Sequence, residues 1–294
     1  MNPTEREELA RLLPSPGEPV LSSDRQSLLR EQLMREIAVH PNTVVRKSTW
    51  RRAAAFAVPL ATAAAVTATL LVGGSDTPAP DQQAVDLLNR IANVAAARPT
   101  TPVRDDQYVY VSTQSTDDVD EYGVVTLRRD DWQPVDGGRS GLARIKILSG
   151  RDNPYLHDGD MKLGRDPNVT YFRELEALPT DPEALYRKIW DGTEGEGAHE
   201  EAALEEIGAM LPSATPLPEL NAALYRAAAK IPGVSVVRNA EDIAGRKGVG
   251  LTFKDRDEQA TWVFDRKSLK FLGTDEEALL DVGIADKAGA VPGN

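Results

Sequence analysis

Residues 107–115, QYVYVSTQS, set Tyr108 and Tyr110 in alternation with Val109 and Val111. A period of two in aromatic and β-branched side chains predicts a strand with one buried face. Tyr122–Arg128 (YGVVTLR) repeats the pattern, Trp132–Val135 leads into Asp136-Gly137-Gly138, and Leu142–Leu148 (LARIKIL) alternates again. Four short strands separated by turn residues predict an antiparallel meander. Residues 150–167, rich in Gly, Asp, Asn and Pro, read as a loop.

Helical patterns flank this meander. Upstream, Asp81–Ala97 keeps Ala84, Leu87, Leu88, Ile91, Val94 and Ala95 at helical spacing, and Arg98–Pro99 stops it. Downstream, Thr180-Asp181-Pro182-Glu183 joins a capping box to a first-turn proline, with Leu185, Ile189 and Trp190 on the inward side. Glu200–Leu211 and Glu219–Ile231 follow as helices. Then Val234–Arg238, Gly248–Lys254, Gln259–Asp265 and Leu269–Gly273 read as strands, with polar turns at Asp255–Glu258 and Asp265–Ser268. The order helix, strands, helices, strands predicts an α+β fold over residues 81–281: a curled antiparallel sheet, an incomplete barrel, around helices. Residues 282–294 read as a flexible tail.

The opposite end of the chain predicts a membrane span. Ala53–Gly74, AAAFAVPLATAAAVTATLLVGG, has no charged residue and as a helix would reach roughly 33 Å, enough to cross a bilayer core. Arg46, Lys47, Arg51 and Arg52 precede it, which keeps the N-terminus cytoplasmic and sends the C-terminal part outside. Its high alanine content and Pro59 leave two rivals, a buried Ala-rich core helix and a cleaved signal peptide. The second would need an n-region far longer than usual. The expected organisation is thus a cytoplasmic helical segment over 1–52, a transmembrane helix over 53–74, a stiff linker over 75–80 and an extracytoplasmic domain. Within 1–52, Leu29, Leu33 and Ile37 fall four apart on one face, beside a supportive Glu31→Arg35 pair, and form a narrow stripe that either packs on a partner protein or lies beside the membrane.

Charge restricts the choice of partner. Residues 1–52 hold 9 of the 34 basic and 7 of the 46 acidic residues, so the rest carries 25 against 39. A domain that acidic is repelled by phosphate backbones, which argues against nucleic acid. The chain has no cysteine, which excludes thiolate metal sites, a cysteine nucleophile and a lipobox anchor. His157 and His199 lie outside any H-E-x-x-H motif, and no P-loop, EF-hand loop or G-x-S-x-G elbow occurs. Glu194, Glu196, His199, Glu200 and Glu201 read as a solvated loop and helix start. Gly245-Arg246-Lys247-Gly248-Val249-Gly250 lacks the G-K-[ST] ending and precedes a strand, so it reads as a bend. No enzyme activity, cofactor or metal is expected. The aromatics Tyr108, Tyr110, Trp132, Trp262 and Phe264 either pack the core or, if they share the concave face, line an apolar ligand cavity.

Two resemblances add to this reading. With Asp131-Trp132, Val135-Asp136-Gly137 and Asp242-Ile243-Ala244-Gly245-Arg246-Lys247-Gly248-Val249, the chain resembles a family of uncharacterised single-pass membrane proteins of high-GC Gram-positive bacteria. More distantly, the Gly245–Gly248 turn, the strand pair after it and Trp262-Val263-Phe264-Asp265 resemble the lipoprotein-carrier and envelope-sensor domains, similar to LolA and RseB. The second resemblance implies a barrel-like cavity for lipid or lipoprotein. The first implies a membrane-tethered regulator that binds a cytoplasmic transcription factor such as a sigma factor through residues 1–52. The H-x-x-x-C-x-x-C zinc motif common among such regulators is missing. The expectation is a non-enzymatic membrane protein whose exterior domain binds or senses lipid, lipoprotein or a cell-wall component.

Overall fold

A computed structural model describes residues 79–166, 169–193, 199–253 and 260–293. The expected cytoplasmic helices with Leu29, Leu33 and Ile37, the span over 53–74, the Asp255–Glu258 turn and the carboxylates Glu194 and Glu196 lie outside the described residues. Among the described residues no helix is long and apolar enough to cross a membrane.

Asp81 starts the first helix, α1 (Gln82–Ala96), because its Oδ1 accepts from the backbone N–H of Gln83 at 2.7 Å and of Ala84 at 3.2 Å. The apolar face at Ala84, Leu87, Leu88, Ile91, Ala92 and Ala95 is buried, whereas Val94, which the spacing had placed on it, is exposed. Two long strands follow, β1 (Tyr108–Val119) and β2 (Gly123–Pro134), then β3 (Gly141–Ser149) and β4 (Gly159–Leu163). β2 runs unbroken through Arg128-Arg129-Asp130-Asp131, where the sequence had suggested two strands. Each face of this strand neutralises its own charges: Arg128 Nε donates to Asp130 at 2.9 Å on one side, and Arg129 Nε to Asp131 at 2.8 Å on the other. β4 falls inside the stretch read as loop. It is held to β3 by two Arg144–Asp160 hydrogen bonds, at 2.7 and 2.9 Å, and by the Lys146–Asp158 ion pair.

Four helices come next: α2 (Phe172–Glu176), α3 (Pro182–Gly192), α4 (His199–Ala214) and α5 (Pro218–Ala228). Asp181 caps α3 through Ala184 N at 2.9 Å, with Pro182 in the first turn. α4 continues through Pro212, which lies near its end, so a missing N–H and a steric clash there cost less than in the helix middle. The second meander, β5 (Val234–Glu241), β6 (Lys247–Phe253), β7 (Trp262–Phe264), β8 (Phe271–Thr274) and β9 (Glu277–Ala285), completes the fold. Gly245, at φ 82°, makes the turn into β6 with its N–H on Asp242 O, so the Gly-rich segment is a bend before a strand.

All nine strands form one antiparallel sheet in the order β4-β3-β2-β1-β9-β8-β7-β6-β5. Its edges, β4 and β5, do not pair with each other, so the sheet is curled but unclosed, and the fold is α+β. The first and last strands meet in the middle, from Tyr108↔Ala285 to Ser115↔Glu277. A continuous core fills one face of the sheet, where the helices lie against Leu251, Trp262, Phe264, Phe271 and Leu279.

β9 overturns the expected flexible tail from residue 282. Val282–Ala285 are strand, and beyond them Ala290 O accepts from Trp132 Nε1 at 2.6 Å. The alternation in β9 is interrupted by a bulge opposite Ser112/Thr113, which blurs its period in the sequence.

The Trp262 indole of the sheet lies close on Gly208 of α4. A Cβ built on Gly208 would stand 3.1 Å from Trp262 Nε1 and 3.3 Å from Cζ2. Gly208→Leu gains helix propensity, but the site has no room for the longer side chain. The expected loss is about 2 kcal/mol, read as a lower urea midpoint at unchanged m. A midpoint within error of the parent would contradict this packing.

Candidate functional site

The strand alternation separates the five aromatics that the sequence had grouped. Tyr110 and Trp132 face each other directly across β1 and β2, with ring centroids 5.2 Å apart, on the outer face of the sheet with Tyr108, Leu142 and Ala285. Trp262 and Phe264 lie on the helix-bearing face, where Phe264 meets Tyr225 at 5.8 Å and Phe271 at 5.4 Å. Tyr108 is half-buried and the other four are buried. These residues therefore do not share one cavity wall. The helices occupy the space in which a ligand over Trp262 and Phe264 would sit.

The open space lies at one side of the helices. A cleft of about 620 Å3 runs between α1 and the strands β5 and β6. Leu87, Val236 and Val249 give it an apolar lining, and Gln83, Asp86, Asn89 and Arg90 bring polar groups to the same wall. The amphipathic period of α1 produces this division. Leu87 belongs to its buried stripe, whereas Gln83, Asp86, Asn89 and Arg90 are exposed. No aromatic lines the cleft, which explains why a search led by aromatics missed it. Its signal in the sequence was the charged border of an otherwise apolar helix face.

A second polar group sits on the helix-bearing face at β1, β2 and β9. Arg129 and Asp131 lie side by side on β2, and Glu277 of β9 is paired in register with Ser115 of β1. Burial, then the charge of Asp131, push the Glu277 carboxyl up to about 7, against a weaker opposing pull from Arg129. Burial also raises the Asp131 carboxyl, despite Arg129 beside it, and raises Asp117 on β1. Glu277 can therefore hold a proton near neutrality. The cleft lining includes none of these carboxylates. Sequence reading passed over Glu277 because the strand that carries it was not expected.

The histidines serve no shared centre. His199 Nε2–H donates to Trp190 O at 2.6 Å and its ring stacks 3.8 Å from the Trp190 indole, so it fastens α4 to the end of α3. His157 is exposed in the loop before β4. Among the described residues no group of three or more His, Asp or Glu side chains could hold a metal ion. The motif Asp242–Val249 is a structural staple. Asp242 Oδ1 accepts from Arg246 N at 2.7 Å and Oδ2 from Arg246 Nε at 2.6 Å, while Arg246 Nη2 reaches Leu272 O and Leu279 O.

The chain matches no protein-family model, no curated protein and no solved structure. Its functional reading therefore rests on the geometry of its own residues.

Proposed function

We propose that this chain is a non-enzymatic single-pass membrane protein whose exterior domain binds or senses a lipid, lipoprotein or cell-wall component in the α1–β5–β6 cleft. Residues 53–74 are the span, 1–52 remain cytoplasmic and the folded domain lies outside the cell. The observation that carries the reading is the cleft itself. It is open to solvent, with Leu87, Val236 and Val249 at its base and the polar side chains of Gln83, Asp86, Asn89 and Arg90 at its rim to orient a headgroup. The separation of this cleft from the Glu277 carboxylates supports binding rather than catalysis. Only the linker 75–80 stands between the expected span and α1 in the chain, so a ligand that shifts α1 acts on the element nearest the span in sequence. A LolA-like or RseB-like carrier or sensor is the fold analogy this reading favours, and an analogy of fold does not fix a ligand.

Mass spectrometry of organic extracts from the full chain, purified from membranes in mild detergent, tests the proposal. A stoichiometric lipid or lipopeptide is expected, reduced at least about tenfold in Val236→Asp or Val249→Asp, in line with the cost of a charge on an apolar floor. Equal recovery from parent and both variants would remove the cleft as the site.

A second reading concerns the cytoplasmic side, where the Leu29, Leu33 and Ile37 stripe is too narrow to build a core alone. In that reading residues 1–52 hold a transcription regulator such as a sigma factor at the membrane, folding on it. Leu33→Asp should abolish co-purification of that regulator and leave lipid recovery unchanged.

A further inference from the structure

On the outer face of the sheet, residues 290–293 of the same chain lie over Trp132 and Gly283. Asp286, just past β9, accepts from Gln107 Nε2 at 2.9 Å and Arg104 Nη2 at 3.0 Å, which fixes the point where the chain leaves the sheet. Ala290 N then donates to Lys287 O at 3.1 Å and closes a turn. Two contacts seat the segment that follows. Trp132 Nε1–H donates to Ala290 O at 2.6 Å, and Pro292 rests on Gly283, where a Cβ would stand 2.9 Å from its ring. Gly283 is the direct register partner of Tyr110, itself opposite Trp132. A glycine shelf, a tyrosine and a tryptophan thus lie in one row across three strands.

The way this segment is held suggests what else the row could hold. Residues 288–293, AGAVPG, have no charge and no large side chain, and Val291 is 61 % exposed. The row grips a backbone carbonyl and a proline ring, and ignores the one sizeable side chain. An indole N–H on a peptide carbonyl beside a proline on an apolar shelf is how aromatic grooves take extended proline-bearing peptides.

We infer that the Tyr110–Trp132–Gly283 row is a binding groove for an uncharged, small-residue peptide containing proline, and that residues 290–293 occupy it in cis as a surrogate ligand. This site is on the opposite side of the sheet from the helices and does not depend on the cleft reading. A tethered segment competes at an effective concentration on the order of millimolar, so the intact chain is closed to weak peptides and opens when its tail is lifted.

The test uses the full chain carrying Pro292→Asp, which removes the proline seat and leaves the groove residues in place. The probe is a synthetic peptide of sequence AGAVPG, blocked at both ends, titrated into parent and variants and followed by isothermal titration calorimetry. The variant is expected to bind it saturably, one to one, at least about tenfold more tightly than the parent. Adding Trp132→Phe, which keeps an aromatic ring but removes the N–H, should return binding to the parent level. A scrambled peptide with proline at the first position should bind at that level too. A chain ending at Lys287, with its fold checked by thermal unfolding, supplies a second opened form. Failure of both opened forms to bind, or equal binding by parent and variant, overturns the inference and leaves the segment as a cover for Trp132.

Discussion

Asp242→Ala is expected to lower the unfolding free energy by about 3 kcal/mol, the range found when one partner of a buried ion pair is removed. The Asp242 side chain is fully buried, and its carboxylate accepts from both the Arg246 backbone N–H and its guanidinium. Arg246 in turn donates to Leu272 O on β8 at 2.6 Å and Leu279 O on β9 at 2.9 Å. Those two strands share only one paired position, Gly273↔Ala278, so the guanidinium supplies much of what joins them. Loss of the Asp242 carboxylate leaves the Arg246 guanidinium without its anion and the Arg246 N–H without its acceptor. Urea unfolding followed by far-UV circular dichroism measures the effect. Arg246→Met should cost at least as much, because it leaves the fully buried Asp242 carboxylate without its cation, and the double variant Asp242→Leu/Arg246→Met should cost less than the sum. A loss below about 1 kcal/mol for Asp242→Ala would mean that the staple does not hold the β8–β9 junction.

Glu277→Gln has the opposite sign. The Glu277 carboxyl stands at about 7 in the fold, against 4.5 when free. Between those values the native state binds more protons than the unfolded chain, so stability falls as pH rises through the window. The penalty is complete above about pH 7 and absent below about pH 4.5. A shift of this size corresponds to about 3 kcal/mol. The glutamine variant is isosteric and carries no charge to desolvate. It is expected to be more stable than the parent by up to about 3 kcal/mol at pH 8 and equal to it at pH 4. Asp131, also raised by burial, keeps a residual slope of the same sign in the variant. Thermal unfolding at unit steps from pH 4 to 8 traces both curves. Parallel curves for parent and variant would show that Glu277 is solvated like any surface carboxylate.

Much of the architecture was legible because local chemistry agreed with the global fold. The spacing of Leu87, Leu88 and Ile91 announced α1, Pro182 announced the first turn of α3, where Asp181 caps in place of the expected Thr180–Glu183 box, and the Tyr108–Val111 alternation announced β1. The failures have particular causes. The Arg-Arg-Asp-Asp run in β2 resembles a break until each pair is placed on its own face of a strand, where it neutralises itself. β9 was hidden by its bulge, and with it Glu277. The five aromatics could not be sorted into sites because a residue's face follows from strand register, which pairing partners far along the chain decide. The cleft had no motif. It arises where the polar border of α1 meets β5 and β6, and that meeting is a tertiary event.

The pairing of β1 with β9 also bears on how the chain reaches its fold. Gln107 and Asp286, hydrogen-bonded at the end of this pairing, stand 179 residues apart. At synthesis rates of about 5–20 residues per second, β1 waits roughly ten to thirty seconds for its partner. During that interval the first meander can form, yet one side of β1 presents bare amides and carbonyls to any strand nearby. Contacts of such long range also slow the search itself. The nascent protein therefore passes through a half-built sheet with a sticky margin, and its last strand doubles as the seal that ends this exposure.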